Sequence, residues 1–133
     1  MPKFSKASLD RLATLHPDLQ KVLNEAIKHF DFAITCGHRS KEAQDAAYEQ
    51  KKSQVRWPNS KHNSFPSKAV DVAPYVEGIR WDDVEGFTLL AGLIKGIAVM
   101  MGVKLRIGID WDGDLLVIEH GFKDRPHIEL EEA

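Results

Sequence analysis

The chain has 133 residues, 43% of them hydrophobic, which is the size and composition of one domain with a single buried core. Its 18 Lys and Arg residues and 20 Asp and Glu residues give a net charge of -2, which argues against a broad basic surface for nucleic acid or anionic membranes. The single cysteine, Cys36, excludes an intrachain disulfide framework and a cysteine-rich zinc module, so a bound metal would need histidine and carboxylate ligands.

The N-terminal region predicts two helices. A short first helix is expected to begin after a cap at Ser5 or Ser8 and to turn Leu9 and Leu12 inward. From Pro17 to Phe30, apolar residues recur at steps of three and four, which is typical of a helix with one buried face. The proline suits the first position of such a helix, so we expect the second helix to begin there.

A strand, a third helix and a long loop are predicted next. The apolar and β-branched run from Phe32 to Cys36 predicts a strand that ends at Gly37. Ser40 is then the expected cap of a helix that reaches about Lys51. The residues from Ser53 to Lys68 show no sustained periodicity and include two prolines, which indicates a loop of a length that is often functional.

The second half of the chain predicts a long helix among short strands. A strand from Ala69 to Val72 is expected to end at Pro74. The sequence Asp82-Asp-Val-Glu85 resembles a capping box, and its helix is expected to run to about Met101, with Gly102 as its stop. Three short strands are expected to follow: Val103 to Ile107, Leu115 to Ile118, and His127 to Leu130. This order predicts a single α+β domain over residues 1–133, with a small antiparallel sheet backed by helices.

Polar residues stand at the edges of several predicted elements. Asp71 lies inside a strand whose two valine neighbours would point to the opposite face. A carboxylate on the inward side of an apolar strand is costly unless a cation or hydrogen-bond donors satisfy it. His62 lies in the long loop, and His127 follows a proline that stiffens the approach to the last strand. His127 could therefore project beside Asp71 and His62.

Two imidazoles and one carboxylate form a familiar type of Zn²⁺ site, and a fourth position left to water is typical of catalytic rather than structural zinc. Each histidine taken alone is more often a surface residue or a satisfied core residue. The residues alone support two interpretations about equally. In the first, His62, Asp71 and His127 form a metal site; in the second, they are unrelated polar residues.

Several short motifs occur together along most of the chain: Gly37-x-Arg39-Ser40, Ser60-x-His62, Ala69-Val-Asp71, Gly108-x-Asp110-Trp111 and Asp124-x-x-His127. In this combination the chain resembles the M15 family of zinc D,D-carboxypeptidases and L-alanyl-D-glutamate endopeptidases. Its length is similar to that of the compact single-domain members found among bacteriophage endolysins. Asp71 follows His62 after a longer segment than in many members, a difference that a loop can absorb.

The resemblance implies roles for five residues. It implies that zinc is bound by His62, Asp71 and His127. It also implies that Asp124 is the catalytic carboxylate and that Arg39 holds or polarises a substrate oxygen. The chemistry agrees, since Asp124 could accept a proton from water and pass it to the leaving amine. Arg39, which is always charged, could stabilise a developing oxyanion or hold a carboxylate of the peptide stem.

Other residues are weaker candidates. Ser60 is expected either to hydrogen-bond near the site or to form a loop turn, and Glu129 either to orient a metal ligand or to face solvent. Trp111 is the tryptophan that best suits the lining of a cleft. The residues from Asp110 to Asp114 lack the full calcium-loop pattern, so a structural turn is the better interpretation. Two further histidines are considered for substrate or metal contacts: His38 and His120.

These features predict a zinc-dependent peptidoglycan peptidase, a phage endolysin that cleaves the L-Ala–D-Glu bond. The alternatives are a D,D-carboxypeptidase on the same scaffold and a non-catalytic, metal-stabilised cell-wall-binding module. A metal nuclease is disfavoured by the charge balance. The expected partner is the peptidoglycan stem peptide, with no nucleic acid, no stable membrane association and a monomeric state.

The sequence also suggests where the protein acts. The N-terminus lacks the apolar core of a secretory signal, and the longest apolar stretch, from Phe87 to Met101, is shorter than the roughly 20 residues that a membrane crossing needs. We therefore expect a chain that is made in the host cytoplasm without a signal peptide and that reaches the cell wall after release, through holin lesions.

Overall fold

The computed structural model describes residues 2–115 and 123–131. Its helices are α1 (Lys6–Leu12), α2 (Pro17–Ala26), α3 (Lys41–Glu49) and α4 (Val84–Met101), and a short 3₁₀ helix covers Lys61–Asn63. Its strands are β1 (Phe32–Cys36), β2 (Ala69–Pro74), β3 (Leu105–Ile107) and β4 (His127–Leu130). The strands form a four-stranded antiparallel sheet in the order β1-β2-β4-β3. This arrangement confirms the predicted α+β fold.

The caps of the helices follow the sequence signals. Ser5 caps α1 and Ser40 caps α3, each through a side-chain oxygen that accepts a backbone N–H three residues later. Asp83 caps α4 in the same way. Gly102 ends α4 with a φ of 74°, the left-handed conformation that glycine adopts without strain.

The inward face of α1 differs from the prediction. Leu12 is buried as expected, but Leu9 is 49% exposed. Ser8 occupies the inward position instead, and its hydroxyl accepts a hydrogen bond of 3.0 Å from the backbone N–H of Ile34. A short helix laid against a strand edge can place a hydroxyl inward when the strand offers an unpaired donor.

Two element boundaries also differ from the prediction. α2 ends at Ala26 rather than at Phe30, because bonds to carbonyls three residues back tighten the chain after it. β3 begins at Leu105 rather than at Val103, because the Val103 N–H still bonds to a carbonyl of α4. Of the strand expected from Leu115 to Ile118, residues 116–118 lie outside the described residues, and Leu115 itself is not in a strand.

The core lies on one face of the sheet. Four strand residues on that face are almost fully buried: Ile34, Val70, Val72 and Ile128. They belong to one apolar cluster with residues of α2 and α4: Leu19, Val22, Leu23, Leu90, Ala91 and Ile94. Burial of a side chain of this size contributes about 1.5–3 kcal/mol relative to exposure, so this face is the main source of stability.

The long helix α4 belongs to this core. Judged by length and composition alone, this 18-residue helix could span a membrane. In the fold, however, α4 packs against α2, β2 and β3, and one of its faces is buried. One face of α4 is therefore part of the core of the fold.

The strand register gathers polar residues on the opposite face of the sheet. Asp71 of β2 is paired with Cys36 of β1 on one side and with His127 of β4 on the other. Residues directly opposite each other on antiparallel strands point to the same face. The two valine neighbours of Asp71 are buried in the core, as predicted. The sheet therefore has one apolar face and one face that carries Asp71 and His127.

Candidate active site

Three of the five candidate residues meet on the polar face of the sheet. The Nε2 atom of His62 lies 3.3 Å from Oδ1 of Asp71, and the Nδ1 atom of His127 lies 3.4 Å from the same oxygen. The two imidazole rings are 5.2 Å apart between centroids. All five candidates line one cleft of about 1040 Å³. The loop, strand and C-terminal motifs thus converge at a single place.

His62 is held by the loop that carries it. Ser60 caps the 3₁₀ helix, and its hydroxyl accepts a 3.2 Å hydrogen bond from the backbone N–H of His62. The ring is 2% exposed, and its Nδ1 donates to the carbonyl of Gly37 at 2.9 Å. Because a carbonyl can only accept, Nδ1 donates to it, and Nε2, which faces Asp71, is the ring nitrogen left for a metal once its proton is displaced. Ser60 thus forms a local loop turn, and that same turn bonds the backbone of His62, so the two alternatives expected for Ser60 are both met.

His127 is oriented in a similar way by its own strand. Its Nε2 lies 2.8 Å from Oε1 of Glu129, two residues along β4. Since a carboxylate accepts hydrogen bonds, Nε2 is the donor, and Nδ1, which faces Asp71, is the ring nitrogen left for a metal. Glu129 is 9% exposed, so it contacts the ligand candidate rather than facing solvent.

Among the described residues, two buried atoms at the centre of the site have no partner with hydrogen-bond geometry: His62 Nε2 and Asp71 Oδ1. They face each other at 3.3 Å, as an ion pair when His62 is protonated. Buried polar atoms in native proteins are normally paired, so unpaired ones indicate a missing partner such as an ion. A cation between these atoms and His127 Nδ1 would satisfy them. One carboxylate and two imidazoles are a donor set that fits zinc.

Charge in the site is unevenly distributed. Burial raises the pKa of Asp71, but the facing imidazoles of His127 and His62 outweigh burial and hold the pKa well below its ordinary value. Burial lowers the pKa of His62, yet contacts with Asp71 and Cys36 raise it to about 10. Asp71 is therefore ionised, as a metal ligand must be. A metal entering this site would displace protons from the histidines.

Asp124 lies at the edge of this cluster. Its Oδ2 is 4.0 Å from Nδ1 of His127, and its side chain is 36% exposed to the cleft. Burial and the negative charge of Asp71 both raise the pKa of Asp124. A carboxyl group with a raised pKa, close to the ligand candidates but not among the unpaired atoms, is suited to proton transfer.

A close backbone approach fixes the position of Asp124. The N–H of Gly108 bonds to the carbonyl of His127 at 2.8 Å, and the N–H of Asp124 bonds to the carbonyl of Gly108 at 2.9 Å. A Cβ atom on Gly108 would collide with the Asp124 carbonyl. Only glycine fits there, which gives a structural reason for the Gly108-x-Asp110-Trp111 motif.

Arg39 is held on the opposite side of Asp71. Its Nη2 lies 3.6 Å from Oδ2 of Asp71, and its Nη1 donates to Oε1 of Gln44 at 2.9 Å. Gln44 is fully buried on α3, so the helix that follows Arg39 anchors its guanidinium. The Arg39 side chain is 15% exposed and lines the cleft.

Cys36 is a site residue that the sequence did not reveal. Its Sγ lies 3.8 Å from Nδ1 of His62 and 3.5 Å from Nη2 of Arg39. Strict alternation from Ile34 would have turned Cys36 towards the core. The register of β1 shifts between Ile34 and Cys36, and a β-bulge of this kind redirects a side chain. No motif in the sequence marks the bulge.

Of the remaining candidates, one lines the cleft, one does not, and one lies outside the described residues. Trp111 lines the cleft as predicted, with its ring 5.5 Å from that of His127. His38 is exposed, packs against Phe65 and does not line the cleft. Three carboxylates of the 110–114 turn lie within 4.8 Å of one another. His120 lies outside the described residues.

Comparison with known proteins gives consistent matches. Residues 1–131 match the family model described as phage L-alanyl-D-glutamate peptidase. The chain is 37% identical to the L-alanyl-D-glutamate peptidase of Escherichia phage T5, over 96% of this chain and 97% of the relative. Its fold is similar to the crystal structure of the Serratia marcescens L-Ala D-Glu endopeptidase ChiX, with a TM-score of 0.76 and 25% identity over 97% of this chain and 90% of that one.

Proposed function

Because this chain belongs to the family of phage L-alanyl-D-glutamate peptidases, we propose that it is a zinc-dependent endolysin that hydrolyses the bond between L-Ala and D-Glu in peptidoglycan stems. The observation that carries the metal part of the proposal is the pair of unpaired buried atoms at the centre of the site. The family supports the substrate, and the chemistry of the cluster supports the cofactor.

The zinc ligands are His62 through Nε2, Asp71 through Oδ1 and His127 through Nδ1. In support, both histidine nitrogens lie within 3.4 Å of Asp71 Oδ1, and each histidine has its other ring nitrogen bonded to an acceptor. Three protein ligands leave a coordination position free for water or substrate, which is typical of catalytic zinc. When bound, zinc supplies a Lewis acid that activates water and polarises a carbonyl.

Asp124 is the general base and acid of the reaction. Its carboxylate lies beside the ligands without being needed as one of them, and it is open to the cleft. It accepts a proton from the attacking water and donates it to the leaving amine of D-Glu. The raised pKa of Asp124 makes its carboxylate a stronger base than an ordinary aspartate, which favours uptake of the proton from water and its retention until the amine leaves.

Arg39 binds negative charge on the substrate. Its guanidinium is anchored by Gln44 and lines the cleft next to Asp71. A planar, permanently charged group at this position stabilises the oxyanion that develops on the scissile carbonyl, or holds a stem carboxylate. The family supports the peptide stem of the cell wall as the partner of the protein. We further propose that the protein acts as a monomer and reaches the wall through holin lesions.

Mass spectrometry of purified murein after digestion tests the activity. We expect new N-terminal D-Glu in the products of the zinc-loaded protein, and far less of it after the same time with the Asp124→Asn variant. Loss of terminal D-Ala instead would assign a D,D-carboxypeptidase. Unchanged murein, together with equal wall binding by wild type and Asp124→Asn in a pull-down, would replace the peptidase with a wall-binding module.

A further inference from the structure

Glu129 is a buried carboxylate that touches one proposed zinc ligand. It lies two residues after His127 on β4, so the two side chains share the polar face of the sheet while Ile128 points to the core. Its Oε1 accepts the hydrogen bond from His127 Nε2 at 2.8 Å. Burial of a carboxylate is unfavourable in free energy unless both of its oxygens are paired, so the second oxygen of Glu129 also requires a partner.

The second oxygen of Glu129 is bound by the loop that carries the other histidine. Nζ of Lys61 lies 2.8 Å from Oε2 of Glu129, and the same ammonium donates to the carbonyl of Leu130 at 2.6 Å. Lys61 directly precedes His62 in the 3₁₀ helix. Nε of Arg106 on β3 approaches Oε2 from another side at 3.5 Å.

The Lys61–Glu129 ion pair therefore connects the two histidine-bearing segments. One end belongs to the loop of His62, and the other end holds the ring of His127 through a hydrogen bond. The pair is largely buried, with side-chain exposures of 22% for Lys61 and 11% for Glu129. A buried ion pair adds little to stability relative to an apolar pair, which favours a role other than holding the fold.

We propose that Glu129 is a positioning residue that orients His127 for zinc and, through Lys61, fixes the distance between the two histidine ligands. This inference rests on the proposed function, because it takes His62, Asp71 and His127 as the zinc ligands. A carboxylate that accepts the distal N–H of a metal-bound histidine fixes its tautomer and increases its basicity. Loss of such a partner weakens metal binding, typically by about 10- to 100-fold.

Zinc affinity, measured by competition with a chromophoric chelator, tests the role directly. We expect Glu129→Ala to bind zinc about 10- to 100-fold more weakly than wild type. Glu129→Gln keeps the shape and an acceptor oxygen for His127, so its loss should be smaller. Lys61→Met removes the cation but keeps the aliphatic stem, and should also weaken zinc binding. The control is Glu131→Ala, at an exposed position beside the end of β4.

A second readout separates orientation of the ligand from stability of the fold. Nitrogen NMR of imidazole-labelled, metal-free wild type, at a pH high enough for His127 to be neutral, should show the proton on Nε2, and Glu129→Ala should show a mixture of tautomers. Thermal unfolding of the metal-free proteins is measured alongside. If the variants lose thermal stability but keep wild-type zinc affinity and the single tautomer, the pair is structural and the positioning role is wrong.

The possible failures are distinguishable. Tight zinc binding by wild type and by every Glu129 and Lys61 variant would overturn the positioning role and leave the proposed function intact. Wild type that binds no zinc at this site would overturn both. Should Glu129→Ala fail to fold, Glu129→Gln and Lys61→Met decide the question, since equal zinc affinity in both would contradict the proposal.

Discussion

The two faces of the sheet are built from alternate residues of the same strands, yet they have opposite properties. In β2, Val70 and Val72 are buried in an apolar cluster, while Asp71 between them faces two imidazoles. In β4, Ile128 is fully buried on the first face, while His127 lies on the second. The apolar face holds the backbone in place. The rigid backbone keeps polar groups close together on the second face, although burial of these groups is unfavourable in free energy.

Residues that stabilise the fold and residues proposed for function are therefore immediate neighbours along each strand. The apolar face gains free energy from burial without needing any partner outside the chain. The polar face contains buried atoms whose pairing is incomplete within the described residues. A change on the polar face should therefore affect zinc and catalysis, and a conservative change on the apolar face should affect only the free energy of unfolding.

The largest effect is expected for His127→Ala. Removal of one of three ligands leaves an open and weakly held site, so both zinc content and murein hydrolysis should fall to background. Elemental analysis and a turbidity assay measure the two quantities. His38→Ala is a matched control, because His38 is exposed and lies outside the cleft. Full zinc stoichiometry in His127→Ala would remove this residue from the ligand set.

A large effect on catalysis alone is expected for Asp124→Asn. The amide preserves shape and leaves the zinc ligands in place, but it cannot accept the proton from water. We expect a loss of about 10²- to 10⁴-fold in murein hydrolysis, with zinc content and thermal stability little changed. Asp45→Asn, at a partly exposed position of α3 where the carboxylate pairs only with Lys41 among the described residues, serves as the control. Hydrolysis at the wild-type rate would exclude Asp124 as the general base.

A smaller effect is expected for Arg39→Lys. The lysine keeps the charge but loses the planar fork that bonds Gln44 and faces the cleft. We expect turnover to fall by less than the roughly 10²- to 10³-fold that follows complete loss of an oxyanion donor, with normal zinc content. Steady-state kinetics on a defined stem peptide checks this. Equal catalytic efficiency in the two proteins would contradict a substrate role for Arg39.

The smallest effect on function is expected for Ile34→Val on the apolar face. Removal of one buried methylene should cost about 0.5–1.5 kcal/mol in the free energy of unfolding. Zinc affinity and murein hydrolysis should remain at wild-type values, because Ile34 points away from the cleft into the core. Denaturant unfolding and the same turbidity assay measure both. A loss of zinc affinity in this variant would mean that the two faces are coupled.

The sequence predicts most of the apolar face and the centre of the polar face. Apolar periodicity locates α2, and a capping signal and a glycine stop locate α4. The valines beside Asp71 identify which way the carboxylate points. Motif order places His62, His127 and Asp124 near it, although only the resemblance, rather than the spacing, gives their roles. These features are local, so they can be read within a few residues of the chain.

The parts that the sequence does not predict depend on contacts between distant segments. The bulge that brings Cys36 into the site is set by its pairing with β2, and no residue type marks it. The bond between Lys61 and Glu129 joins residues far apart in the chain. Leu9 was expected inward, but the position of β1 against α1 buries Ser8 in its place. Register and packing between elements decide all three.

The central claim is that a metal held on the polar face is required for cleavage of peptidoglycan. The most direct test is to strip the wild-type protein with a chelator and to follow murein hydrolysis while zinc is added back. The account predicts that activity disappears on stripping and returns in proportion to zinc, reaching its plateau at about one equivalent per chain, as expected for a single three-ligand site. Undiminished hydrolysis by the metal-free protein would contradict it.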